Sequence, residues 1–178
     1  MDERSDRLLV RAARAGDRDA AGALFGRYWQ SAWRVAYGVT GRRALADDVA
    51  ADSFERAFAA LPRFDEKRAF APWLHRIVVN RALDLLRAER RLTGSEPLET
   101  IEAREPDAAG DVQLLEAVQA LPLQRRAAVI LRYGIGMSPE DIAVVLDVPV
   151  GTVHSRLARA LDQLRDERKE AEDHVDRP

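Results

Sequence analysis

The chain of 178 residues contains no cysteine. Disulfides, thiolate zinc sites and a cysteine nucleophile are therefore excluded. Aromatic residues make up only 6% of the chain against 47% hydrophobic residues, so any core is built mainly from Ala, Leu and Val. No apolar run approaches the roughly 18 residues of a membrane span, and the charged N-terminus lacks the apolar segment of a secretory signal. These features fit a cytoplasmic protein with no membrane insertion.

Ala and Leu favour helix, and no window alternates as a strand would, so we predict an all-α fold. Asp17 or Asp19 is a candidate cap for the second helix, and we expect the chain to fray after Arg165. Helical spacing of apolar residues predicts helices over about 5–15, 17–39, 43–61, 70–91, 112–120, 138–146 and 149–165.

Charge is unevenly distributed. The formal net charge is −2, which is unfavourable for a free-standing DNA-binding protein. Residues 75–91 nevertheless carry five Arg against two acids, or +3, whereas residues 93–111 carry six acids against one Arg, or −5. The acidic stretch also contains Gly and Pro and few apolar residues, which is typical of a linker. Basic segments are therefore segregated from acidic ones, so a nucleic-acid contact would be confined to limited surfaces and would need a partner to add affinity.

The stretch from Leu121 to Arg165 has the pattern of a helix-turn-helix. Ser138 and Pro139 form a helix start, Asp147 suits a left-handed turn, and Pro149 precedes a second helix. The outer side of that helix carries polar and basic residues near its N-terminal half, where a recognition helix meets the major groove. A solvated amphipathic helix is the alternative interpretation.

The run PVGTVHSRLARA, residues 149–160, together with Leu121-Pro122 through Arg125, resembles region 4 of the extracytoplasmic-function (ECF) group of bacterial sigma factors. In that family the second helix reads the −35 promoter element. Asp147 departs from the family, which usually has Gly in the turn. The resemblance implies these −35 contacts: Thr152, His154, Ser155, Arg156 and Arg159.

Asp47, Asp48 and Asp52 of the predicted third helix allow three interpretations: a solvated face, a partner surface, or a metal site. A metal site is considered because Asp48 and Asp52 share one face of the helix. Divalent metal sites usually need more ligands than these. The segment 47–58 resembles ECF region 2.2, which docks on the β′ clamp helices of RNA polymerase. The resemblance implies these polymerase contacts: Asp47, Asp48, Asp52, Phe54 and Arg56.

The helix after residue 70 carries WLHRIVVNRALDLLR, which resembles ECF regions 2.3–2.4. In that family this helix and the preceding loop melt and read the −10 element, which requires a pocket for an unstacked base and a basic track for phosphates. Ordinary solvation of the Arg residues is the alternative. The resemblance implies these −10 contacts: Arg63, Lys67, Arg68, Arg76, Asn80, Arg81 and Arg87.

We therefore expect two small helical domains, a region 2 bundle and a region 4 helix-turn-helix, joined by a flexible linker. The predicted boundaries are 1–91, 92–111 for the linker, 112–168, and 169–178 for a tail. The expected partners are core RNA polymerase through its β′ clamp helices and β flap, promoter DNA, and an anti-sigma protein of the kind that often inhibits ECF factors.

We expect no catalytic residue, metal or cofactor, because the polymerase performs the chemistry. Two other functions remain open. A self-sufficient helix-turn-helix regulator would bind a palindromic operator tightly without polymerase. An Asp-dependent phosphohydrolase would show metal-dependent turnover that Asp48→Ala abolishes.

Overall fold

A computed structural model describes the backbone of residues 3–93 and 109–175, and side chains within 5–92 and 114–169. Every regular element in these ranges is helical, which confirms the expected all-α fold. Most of the expected linker, residues 94–108, lies outside the described residues. No helix in the described part of the chain is long and apolar enough to cross a membrane.

Four helices form the first half. They are α1 (Glu3–Arg14), α2 (Arg18–Thr40), α3 (Arg43–Ala60) and α4 (Phe70–Thr93), with a 3₁₀ turn at Leu61–Arg63. Asp17 caps α2, because its carboxylate accepts from the backbone N–H groups of Asp19 and Ala20. Gly41 ends α2 in a left-handed conformation with φ of 72°, which glycine adopts without steric cost.

The second half contains α5 (Ala109–Ala120), α6 (Leu123–Val129), α7 (Pro139–Leu146) and α8 (Val150–Val175). A π-helical turn at Ile130–Gly134 extends α6. The carbonyl of Ile130 accepts from the N–H of Ile135 at 3.1 Å, and Gly136 follows with φ of 80°. The chain then passes through Gly134 and Gly136 before α7 begins.

The expected fraying after Arg165 is wrong, because α8 continues to Val175. Its distal part is rich in Glu, Lys, Arg and Ala, which have high helix propensity. Side chains one turn apart also support it. Gln163 donates to Glu167 at 2.9 Å and Arg165 pairs with Asp162 at 3.0 Å, contacts that stabilise a helix modestly.

The two halves share one continuous hydrophobic core. Leu24, Val35 and Leu74 of the first half belong to the same buried cluster as Leu131 and Ile142 of the second. Helix α7 packs against α4, while α6 and the π-helical turn pack against α2. The sequence pattern predicts two tethered modules but does not predict this contact between them.

Candidate nucleic-acid interface

The helix-turn-helix is built as its local sequence predicts. Ser138 caps α7, its hydroxyl accepting from the N–H of Asp141 at 3.1 Å. Asp147 ends α7 with φ 55° and ψ 50°, the one non-glycine residue with positive φ among those described. Helix α8 begins directly after Pro149. The predicted cap, left-handed turn and second helix are therefore confirmed.

The first three turns of α8 present a polar surface. His154, Ser155 and Arg159 are exposed, while Thr152 and Arg156 are half-buried. The Ser155 hydroxyl donates to the Thr152 carbonyl at 2.9 Å, so its oxygen can still act as an acceptor. On the opposite side Val153, Leu157 and Ala160 are buried. The structure thus brings all five predicted −35 residues to one end of one helix.

The predicted −10 residues on α4 divide into exposed and ion-paired groups. Asn80 and Arg87 are exposed, with Arg87 placed 3.2 Å from Asp84 on the same helix. Arg81 pairs with Asp52 of α3. Arg76 pairs across the two halves, its Nη2 lying 3.1 Å from Oδ2 of Asp147. Arg76 and Arg81 are therefore already paired with residues outside α4.

The loop before α4 is anchored to α1 by one acid. Glu66 accepts from Arg11 at 2.6 Å and from Arg14 at 2.7 Å. The hydrogen bond from Arg11 is the main reason that the pKa of Glu66 lies below its usual value. The three basic residues of this loop that the resemblance implicates are exposed: Arg63, Lys67 and Arg68.

The acids of α3 have different surroundings. Asp47 and Asp48 are exposed, and Asp47 accepts from the indole N–H of Trp33 at 2.7 Å. Asp52 pairs with Arg56 at 3.0 Å as well as with Arg81. The hydrogen bond from Arg56 is the first cause of a lowered pKa for Asp52. Asp52 therefore pairs both with Arg56, a predicted polymerase contact, and with Arg81, a predicted DNA contact.

Phe54, unlike the other predicted polymerase contacts, is buried. Its side chain is only 2% exposed and packs against Phe25 and Phe58, with ring centroids 4.8 and 5.9 Å away. Burial leaves little of the ring available to a partner in this conformation, so its role here is to support the α2–α3 surface. No group of three potential metal ligands comes together among the described residues.

Sequence reasoning missed two buried polar residues. Gln119 and Arg126 are 2% and 8% exposed, and both bond to the carboxyl end of α2 in the other half. The only signal in the sequence is that Gln119 interrupts the apolar segment VQAL and that Arg126 directly precedes the apolar run AAVIL. A single polar residue in such a segment does not identify its distant partner.

Comparison with known proteins gives two family matches. A family model described as sigma-70 region 2 matches residues 24–92, and one described as sigma-70, region 4 matches residues 111–164. The ECF RNA polymerase sigma-E factor of Salmonella typhimurium is 33% identical over 179 residues, covering 90% of this chain and 92% of that protein. The ECF sigma factor SigW of Bacillus subtilis is 28% identical, covering 88% and 92%.

Two solved structures are similar over most of their length. CnrH in complex with the cytosolic domain of CnrY matches with a TM-score of 0.76 and 28% identity, covering 93% of this chain and 98% of that one. RpoE in complex with the anti-sigma factor NepR, from Bartonella quintana, matches with a TM-score of 0.72. Its 23% identity, with 88% and 98% coverage, supports the fold alone.

Proposed function

The chain belongs to the ECF group of RNA polymerase sigma factors, and from that membership we propose that it reads promoters in two separate parts. As a sigma factor it directs transcription initiation and is not an enzyme. The finer proposal is that α8 reads duplex DNA at the −35 element while α4 and its preceding loop bind unpaired DNA at −10. The observation that carries it is that one half ends in a capped helix-turn-helix and the other presents a basic helix.

At the −35 element, the exposed first turns of α8 enter the major groove. Arg156 and Arg159 are suited to guanine acceptors or phosphates, and Thr152, His154 and Ser155 to base edges or phosphates. The apolar stripe that includes Val153 and Leu157 holds α8 against α6 and α7. That packing fixes the direction in which the polar face points.

At the −10 element, Asn80 is suited to a flipped base because its amide offers both a donor and an acceptor. Arg87 and the basic residues of the preceding loop supply charge for the phosphates of a single strand. Arg76 and Arg81 lie on the same helix but are ion-paired with Asp147 and Asp52. They contact DNA phosphates only if these ion pairs break, or if the pairs hold the guanidinium groups towards the DNA.

For polymerase binding, we propose that α3 docks on the β′ clamp helices through Asp47, Asp48, Asp52 and Arg56, with Phe54 packing beneath them. Region 4 would contact the β flap. The proposed domain limits are 1–91 and 112–168, with a linker at 92–111 and a tail at 169–178. Two weak DNA sites held by one polymerase gain affinity through effective concentration, which compensates for the net charge of −2.

We also propose an anti-sigma protein as a partner. CnrH, which is 28% identical to this chain, was solved in complex with another protein, the cytosolic domain of CnrY, and proteins of the ECF group are often inhibited by an anti-sigma protein. Since a bacterial sigma factor works with core polymerase on chromosomal DNA, we place its action in the cytoplasm.

A transcription assay with purified components tests the proposal. Core polymerase is incubated with a randomised promoter library, with and without the chain, and the transcripts are sequenced. We expect chain-dependent transcripts that share an upstream and a downstream element. Asn80→Ala should weaken selection at the downstream element only, with Asn80→Asp as a matched variant that keeps size but removes the amide donor.

Other results would support the alternatives. Tight binding of the isolated chain to a palindromic duplex at physiological salt, with no transcript, would favour a self-sufficient regulator. Metal-dependent phosphate release abolished by Asp48→Ala would favour a hydrolase. Either outcome contradicts the proposed function.

A further inference from the structure

One acid attaches the loop before α4 to another helix at two points. The carboxylate of Glu66 accepts from Nε of Arg11 at 2.6 Å and from Nη1 of Arg14 at 2.7 Å. The other terminal nitrogen of Arg14 donates to the backbone carbonyl of Pro62 at 3.0 Å. Arg14 therefore joins the beginning of the loop to its middle. We call Glu66, Arg11 and Arg14 the Glu66 cluster.

Helix α1, which supplies both arginines, is itself held in place by α2. Near the start of α1, the carboxylate of Asp6 accepts from Arg27 and Tyr28, and Asp6 is only 6% exposed. Val10, in the middle of the helix, belongs to the hydrophobic core. The Glu66 cluster thus connects the loop to a helix whose position is set by the rest of the bundle.

The loop forms a tight turn around Glu66. Just before it, the ring of Phe64 is buried. The carboxylate of Asp65 accepts from the N–H of Lys67 at 3.0 Å, and its backbone carbonyl accepts from the N–H of Arg68 at 2.9 Å. The side chains of Lys67 and Arg68 are exposed. Because Glu66 lies within this turn, its bonds to α1 set how the turn and its basic side chains are oriented.

The position of Glu66 is electrostatically unfavourable for DNA binding unless it is paired. Two proposed phosphate contacts follow it directly in the chain, and an unpaired carboxylate there would repel DNA. Its two arginine partners leave the cluster with a net positive charge. Exposed ion pairs contribute little to stability, and the Arg11 side chain is 64% exposed. The cluster does supply orientation, and contact residues must be held within about 0.5 Å and 10–20° of their productive geometry.

We propose that the Glu66 cluster is a positioning device for −10 recognition. It holds the three basic residues of the loop in one orientation towards the unpaired strand, and it thereby sets selectivity for the −10 sequence. Its members are positioning residues and need not touch a base. This inference rests on the proposed reading of −10 DNA by the loop. It also makes that selectivity depend on α1, whose arginines precede Glu66 by 55 and 52 residues.

The test breaks the Glu66 cluster from each side. Glu66→Gln removes the charge of the carboxylate with little change in size. The double variant Arg11→Gln, Arg14→Gln removes both guanidinium groups and keeps the carboxylate. Glu116→Gln is the matched control, because it makes the same chemical change at an exposed position on α5, which packs on α2, α6 and α8.

Selectivity and overall affinity are measured separately. Each variant is combined with core polymerase and with pairs of promoters that the unaltered chain uses and that differ by one base pair. One pair differs in the downstream element and the other pair in the upstream element. The ratio of transcripts within a pair gives the discrimination, and the half-saturating chain concentration gives the overall affinity.

We expect Glu66→Gln and the double arginine variant both to lose about threefold to tenfold of the discrimination at the downstream element. This is part of the roughly fivefold to hundredfold effect that one base pair commonly has. Discrimination at the upstream element should not change. Combining all three substitutions should lower downstream discrimination no further than either variant alone, since both break the same cluster. Glu116→Gln should behave as the unaltered chain.

Overall affinity should change in opposite directions in the two variants. Glu66→Gln removes a negative charge beside the DNA-binding loop, so the half-saturating concentration should fall by about twofold or more. The double arginine variant removes two positive charges, so that concentration should rise by about twofold or more. A loss of discrimination in both variants therefore cannot be an effect of charge alone.

Hydrogen exchange of the free chain reports on the loop directly. The N–H groups of Lys67 and Arg68 bond to Asp65, so they should exchange about fivefold faster or more when the turn is no longer held. Amides in the middle of α2 and α4 should exchange as in the unaltered chain, which also shows that the bundle remains folded.

Three results would overturn the inference. Unchanged downstream discrimination in both variants would show that the cluster does not set selectivity. Discrimination that falls in one variant and rises in the other would assign the effect to charge. An equal fall at both promoter elements would assign it to a general loss of stability.

In each of these cases transcription by the unaltered chain leaves the proposed function standing. If the unaltered chain itself gives no promoter-dependent transcript, the proposed function fails and this inference fails with it.

Discussion

The side-chain amide of Gln119 donates to the backbone carbonyl of Gly38 at 2.7 Å, although 81 residues separate the two in the chain. Gln119 is also the acceptor for Arg126, which completes the unit by bonding to Val39. Both side chains are buried. A buried polar group that loses its partner costs about 1–3 kcal/mol, so these residues should behave energetically as one unit.

A double-mutant cycle tests that coupling. We expect Gln119→Leu and Arg126→Met each to lower the free energy of unfolding by about 1–3 kcal/mol, because each leaves buried groups unpaired. The double variant should lose clearly less than the sum, since the two share one hydrogen bond. Urea denaturation gives the three values. Arg125→Met is the control and should cost less than about 1 kcal/mol, because Arg125 is only half-buried and donates to the Gln163 side chain at 3.3 Å. Strict additivity would contradict the coupling.

Asp147 combines a left-handed backbone with an ion pair, and substitutions separate the two effects. Asp147→Gly loses a largely exposed pair with Arg76, worth about 0–1 kcal/mol, but relieves the cost of a side chain at φ 55°. We expect its free energy of unfolding to stay within about 1 kcal/mol of the original. Asp147→Val, with a β-branched side chain in the same conformation, should lose about 1–2 kcal/mol.

Comparing these two variants shows whether the ion pair or the left-handed backbone conformation controls stability at Asp147. If Asp147→Gly destabilised the chain as much as Asp147→Val in urea denaturation, the ion pair with Arg76, rather than the backbone conformation, would control stability at this turn.

Arg156→Ala should weaken discrimination at the −35 element. Arg156 is half-buried at the start of α8, and a bidentate contact to a base contributes about 1–3 kcal/mol of discrimination. The measurement is competition between promoters that differ by one base pair in the upstream element, with polymerase bound. Arg165→Ala, on the same helix but paired with Asp162, should leave discrimination unchanged. Equal weakening on all sequences would instead make Arg156 a phosphate contact.

Because of His75, the free energy of unfolding should decrease as the pH drops below neutral. It is fully buried beside Ser31, with Nε2 3.1 Å from the Ser31 hydroxyl, and burial lowers the pKa of His75 to about 4 from 6.5. Between these values the unfolded chain binds the proton and the folded chain does not, so stability decreases as pH falls from 6.5 toward 4. The loss should reach about 2 kcal/mol by pH 5.

Urea denaturation at pH 7.5, 6.5, 5.5 and 5.0 measures this loss. Asp52 and Glu66 have lowered pKa values, so the stability they contribute is present above their unfolded values and is lost only at more acidic pH. His75→Gln cannot titrate, and its curve should be nearly flat over this range. A parallel fall in that variant would assign the pH dependence to other groups.

Local features of the fold were predictable from the sequence. The Ser138 cap, the left-handed turn at Asp147 and the start of α8 after Pro149 all follow from interactions within about four residues. The extension of α8 to Val175 was missed because the polar tail offers no apolar stripe, although its helix propensity is high.

The pairing of charges was not predictable in the same way. The resemblance implies that Arg76, Asn80 and Arg87 of α4 all contact DNA, and it does not distinguish how accessible each side chain is. In the structure Arg76 pairs with Asp147 while Asn80 stays exposed. Likewise the resemblance implies polymerase binding for Asp52 and DNA binding for Arg81, whereas α3 and α4 pack so that these two residues form an ion pair.

The amino-acid sequence by itself determined the helices, their caps and the polar face of α8, because periodicity and capping are short-range properties of the chain. Only the tertiary structure decided that Gln119 and Arg126 bond to the end of α2 and that α7 lies on α4. Those contacts depend on how whole helices pack, and the residue type at one position does not indicate which distant surface it will contact.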